Sequence, residues 1–92
     1  MTTPHETLVR LMREHQADLW RYLRLLGCDE SRADDVTQET FLYVLRHGLV
    51  EHSRAATASY LRRSARNLLM NVLRRERRHV PLEEWDEADQ AW

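Results

Sequence analysis

Apolar residues recur along this chain at intervals of three and four, the spacing that gathers them on one side of an α-helix. Leu8, Leu11, Met12, His15, Leu19, Tyr22, Leu23 and Leu26 form one such stripe. It predicts a first helix that starts near Pro4 to Glu6, runs to Leu26 and is stopped by Gly27. Ser31 followed by Asp34 reads as a capping box that opens a second helix, which continues through Arg46 until Gly48 ends it. In that helix Ala33, Val36, Thr40, Phe41 and Val44 point inward, while Asp35, Gln38, Glu39 and Leu42 fall on the opposite side. Residues 47 to 57 lack a clean period and read as a loop with room for one helical turn. A third helix is expected from Thr57 or Ser59, either of which can cap it, over about 20 residues or roughly 30 Å.

No run alternates Val, Ile or Thr with polar residues, and the chain holds only 2 Gly and 2 Pro. The fold class is therefore all-α, a small bundle of three to four helices. Ninety-two residues are too few for two independent cores. The expected organisation is one helical domain over residues 1–80, followed by an acidic linker or tail over 81–92 that begins at Pro81. The single cysteine, Cys28, excludes an internal disulfide and suits a reducing cytoplasm, as a small buried or loop residue. No apolar run approaches the roughly 20 residues that span a bilayer, so a soluble, cytoplasmic protein without a membrane partner is expected.

Charge changes the picture more than composition does. The chain carries a net charge of −1, yet residues 54 to 79 alone carry +7, the first 53 residues −3, and the tail after His79 −5. A near-neutral total conceals a polarised molecule. The basic segment is also patterned: at about 100° per residue, Tyr60, Arg63, Asn67, Asn71 and Arg74 share one face, and Leu61, Ala65, Leu68 and Val72 the opposite one. Arginine brings fixed positive charge suited to phosphate, and asparagine pairs a donor with an acceptor that can match a base edge. A nucleic-acid-binding helix follows from these residues, with a solvated arginine face as the plainer alternative. On the second helix, a leucine ringed by Asp35, Gln38 and Glu39 has the make-up of a docking patch, against the plainer case of a single exposed Leu42.

Catalysis is not expected. No nucleophile stands beside a base, no glycine-rich loop offers to hold phosphate, and Asp34 and Asp35, as neighbours, lie about 100° apart on a helix and cannot share one proton. No metal and no cofactor are expected either. His15 belongs to the apolar stripe as a satisfied, partly buried residue, and His47, Glu51 and His52 read as polar loop surface.

Two stretches in this order, Asp34-Asp35-Val36-Thr37-Gln38-Glu39-Thr40-Phe41-Leu42 and Tyr60-Leu61-Arg62-Arg63-Ser64-Ala65-Arg66-Asn67-Leu68, resemble the second region of bacterial sigma factors, more narrowly of the extracytoplasmic-function group. The similarity covers approximately residues 6 to 80. It implies a sigma factor region 2-like fold and a transcription initiation factor that binds core RNA polymerase through the clamp coiled coil, using Asp35, Gln38, Glu39 and Leu42. It further implies recognition of the promoter's minus-ten element as melted single-stranded DNA with a flipped base, and an anti-sigma factor as an optional further partner. Carried over by position, Asn67 and Asn71 become base contacts, Arg54, Arg63, Arg66 and Arg74 backbone contacts, and Tyr60 a stacking residue. The chain departs from the group at Tyr60, where tryptophan is common, and at Asn71, where aspartate is frequent. No aromatic residue stands between Tyr43 and Tyr60, so the recognition loop has no ring of its own to stack. The group's second DNA-binding domain, which reads the minus-thirty-five element, has no counterpart here, so a piece of a longer protein or a one-domain form is expected. Two other readings remain: a helical regulator that inserts its third helix in duplex DNA, and an adaptor that binds polymerase or an anti-sigma factor without touching DNA.

Overall fold

Thr3 starts the first helix by reciprocal capping. Its hydroxyl accepts from the Glu6 N–H at 3.1 Å, and the Glu6 carboxylate accepts from the Thr3 N–H at 3.4 Å. In the computed structural model, which describes residues 3–48 and 53–77, three helices follow: α1 (Pro4–Leu25), α2 (Glu30–His47) and α3 (Arg54–Arg77). The all-α expectation holds, with three helices and no strand among the described residues. Helix α1 ends one residue before Leu26. The Gly27 N–H reaches the Arg24 carbonyl at 3.0 Å and the Cys28 N–H the Leu23 carbonyl at 3.1 Å, a closure that needs the positive φ of 105° at Gly27.

Helix α2 opens earlier than the Ser31 capping box predicts. Asp29 is the N-cap, its carboxylate accepting from the Arg32 N–H at 2.8 Å. The turn at Gly27 delivers the chain directly to this aspartate, which leaves Ser31 exposed inside the helix. Asp34 instead accepts from the Trp20 indole N–H at 2.8 Å and joins α2 to α1. At the other end Gly48, with φ 73°, stops the helix as expected.

Helix α3 starts at Arg54 rather than at Thr57 or Ser59. Ser53 caps it through the Ala56 N–H at 3.1 Å, and Thr57 is buried on the packing face, where a cap cannot sit. That face also differs from expectation. Thr57, Leu61, Ser64, Ala65 and Leu69 are buried, whereas Leu68 and Val72 are half-buried.

Each helix packs on the other two around Leu11, Leu19 and Leu23 of α1, Val36, Phe41 and Val44 of α2, and Leu61, Ala65 and Leu69 of α3. All five inward residues expected of α2 are buried, joined by Thr37. The Thr40 hydroxyl is satisfied by the Val36 carbonyl at 2.6 Å. His15 is buried as deeply as the leucines, but its Nε2 has no hydrogen-bond partner among the described residues. The Glu14 carboxylate lies 3.6 Å away. The expectation of a satisfied histidine is thus corrected: the core traps this ring edge beyond hydrogen-bond reach.

Arg32 and Glu76 fasten the start of α2 to the end of α3 through two guanidinium contacts, Nη1 to Oε2 at 3.1 Å and Nη2 to Oε1. The hydrogen bond to Glu76 raises the Arg32 pKa above its ordinary value. No helix among the described residues is long and apolar enough to cross a membrane.

Candidate nucleic-acid interface

The polar stripe of α3 lies beside the core face rather than opposite it. Taking Tyr60 as reference, Arg63, Asn67, Asn71 and Arg74 fall within about 60° of it, while the buried residues centre roughly a third of a turn away. The stripe therefore runs along the seam where α3 meets α2, and the seam is not closed. A cleft of about 390 Å³ opens there, lined by Tyr43 of α2 and by Tyr60, Arg63, Ser64, Asn67, Leu68 and Asn71 of α3. Tyr60 is half-buried and packs on the core with one side. Asn67 is exposed and its amide has no hydrogen bond among the described residues. Asn71 accepts from Arg74 Nη2 at 2.7 Å, which leaves its amide N–H groups to donate outward.

The arginines divide by what they already touch. Arg63 and Arg66 are exposed without an ion pair among the described residues. Arg74 is ordered by Asn71 and by the Met70 carbonyl at 3.4 Å. Arg54 donates to the Glu14 carbonyl at 3.2 Å, so it bridges α3 to α1 while remaining exposed. Of the expected nucleic-acid residues, the cleft gathers Tyr60, Arg63, Asn67 and Asn71; Arg54, Arg66 and Arg74 lie outside its lining.

Sequence reasoning overlooked Tyr43 and Leu68 as lining residues. The signal for Tyr43 is its position on α2, about 80° to one side of the inward direction and hence on the flank turned to α3.

The second surface is on α2. Asp35, Gln38, Glu39 and Leu42 are all exposed, Leu42 by 45%, on the side away from Val36, Thr40 and Val44. An apolar side chain at the centre of acids and an amide is available to a partner without any rearrangement of the core. Among the described residues no three His, Cys, Asp or Glu side chains are grouped to hold a metal ion.

The three-helix unit thus carries a seam with amides and arginine on one side and a separate acidic face on α2. Residues 11–79 match the Sigma-70 region 2 family, and the chain belongs to it. It is similar to the ECF RNA polymerase sigma factor SigL of Mycobacterium tuberculosis in strains Erdman, CDC 1551 and H37Rv, with 44% identity over 66 residues, or 70% of this chain, in each case. The chain spans 37% of the length of these curated relatives. The extracytoplasmic-function group suggested by the two motifs is the group these relatives are named for. No solved structure matches the chain significantly.

Proposed function

We propose that this chain is a non-enzymatic transcription initiation domain of the cytoplasm, which binds core RNA polymerase and recognises a promoter minus-ten element as melted single strand. Asp35, Gln38, Glu39 and Leu42 contact the clamp coiled coil. Tyr60, Asn67 and Asn71 receive an unpaired base, and Arg54, Arg63, Arg66 and Arg74 meet the backbone. Residues 1–80 form the working domain and residues 81–92 an acidic linker or tail, which falls outside the described residues.

The observation that carries this reading is the open seam between α2 and α3, where two rings, two amides and a guanidinium share one cleft. Ring faces take bases irrespective of sequence, and amides match base edges. Magnitudes assign the partner. Opening about ten base-pair steps at about 1.4 kcal/mol each costs on the order of 14 kcal/mol. Capture of one or two bases returns about 1 to 3 kcal/mol apiece. The domain is therefore too small to open a promoter by itself, and a large enzyme must supply the remaining contacts.

The test is the paired substitution Asn67→Ala with Asn71→Ala, both at exposed positions. Loss of promoter-dependent transcription with retained polymerase binding is expected. Undiminished transcription refutes base recognition by these amides. Comparing single-stranded with duplex DNA of one sequence, in the presence of polymerase, separates this function from groove reading in a duplex.

A further inference from the structure

We propose that Tyr43 is a base-stacking residue of the α2–α3 cleft and that it supplies, from α2, the aromatic surface missing from the loop before α3. The proposal rests on the base-binding reading above and names a residue that neither motif singled out for that role.

Tyr43 is 38% exposed and lines the same cleft as Tyr60, Asn67 and Asn71. The His47 ring stacks on it, with centroids 4.0 Å apart and planes inclined by 25°, and His47 Nδ1 donates to the Tyr43 carbonyl at 2.9 Å. A ring braced in this way loses little further freedom when a ligand lands on it. The lining of the cleft then includes one tyrosine from each helix, the amides of Asn67 and Asn71, and the Arg63 guanidinium. A flat heteroaromatic with hydrogen-bonding edges and an attached phosphate matches all three features. That is the chemistry of one unstacked nucleotide.

The experiment uses the full chain bound to core polymerase, with binding by core alone subtracted. Wild type, Tyr43→Ala and Tyr43→Phe are each titrated with a ten-nucleotide single strand and with an abasic strand of equal length and charge. If Tyr43 stacks on a base, Tyr43→Ala weakens binding of the base-bearing strand by about 5- to 150-fold, Tyr43→Phe retains it, and neither changes binding of the abasic strand. Equal loss on both strands, or no loss on either, overturns the proposal, and the first outcome marks Tyr43 as merely structural. Asn67→Ala with Asn71→Ala serves as the second arm. If that pair loses base-dependent binding while Tyr43→Ala does not, only the role of Tyr43 fails. If wild type does not distinguish the two strands, the base-binding function fails with it, and the cleft is left to a protein side chain.

Discussion

Removing Arg63 and Arg66 together should flatten the salt dependence of single-strand binding by a calculable amount. Both are exposed on α3, beside the cleft, and neither has an ion pair among the described residues to satisfy in the absence of DNA. About five arginines on phosphates give log affinity a slope near −3.5 against log salt, at about 0.7 per phosphate on a single strand. Alanine at both positions reduces the slope to about −2.1. Raising salt from about 50 to about 200 mM then weakens wild-type binding roughly 130-fold and the double variant only roughly 20-fold. Fluorescence anisotropy of a labelled single strand over that range measures both slopes. Exposed substitutions of this kind change stability by only about 0.5 kcal/mol or less, so folding is not the confounder. Arg13→Ala with Arg21→Ala, on α1, is the control and should leave the slope alone. An unchanged slope in the Arg63 and Arg66 variant refutes a phosphate role for this side of α3, whatever its net charge.

Three further predictions concern the scaffold. Asp29→Ala should cost about 1 kcal/mol in chemical denaturation and Ser31→Ala almost nothing, the reverse of what a capping box at Ser31 requires. His15→Leu should stabilise the domain by about 1 kcal/mol or more, since it removes a buried ring nitrogen that lacks a partner; a loss of stability would indicate that the ring edge is satisfied in solution. Burial, the largest influence on the Cys28 thiol, pushes its pKa up, so the unfolded chain gives up this proton first. Stability should therefore be unaffected by this group at neutral pH and fall as pH rises above about 8.5. The fall should shrink in Cys28→Ala, and alkylation of Cys28 in the native chain should be slow.

The periodic parts of this fold were readable because burial enforces periodicity. Every residue assigned to the interior of α2 is buried, and Asp35, Gln38, Glu39 and Leu42 are exposed, since one helix between two neighbours has one clearly inward direction. Helix ends were less legible. Asp29 and Ser31 are both good caps by chemistry, and only the turn imposed by Gly27 selects between them. Thr57 has the residue type of a cap but occupies a core position, which a local pattern does not reveal. On α3 the direction of the packing face was legible but its residues were not: Leu61, Ala65, Leu68 and Val72 centre about 110° from Tyr60, as the buried residues do, yet Thr57, Ser64 and Leu69 are buried while Leu68 and Val72 are half-buried. The asparagine stripe stands about a third of a turn from that face, so it borders the seam instead of facing directly away from it. The cleft itself was invisible because Tyr43 and Asn67 lie on different helices, and their juxtaposition depends on how α2 and α3 pack.

Two surfaces of the domain should work independently, one for polymerase and one for a base. Asp35→Arg with Gln38→Ala, and separately Asn67→Ala with Asn71→Ala, are each assayed for capture by core polymerase and for binding of a single strand at low salt. The first pair should abolish capture and leave the weak strand binding intact; the second should keep capture and weaken strand binding without abolishing it, since the arginines still meet the phosphates. If both pairs fail in both assays, or if the α2 variant still captures polymerase at wild-type strength, the division between the two faces is contradicted.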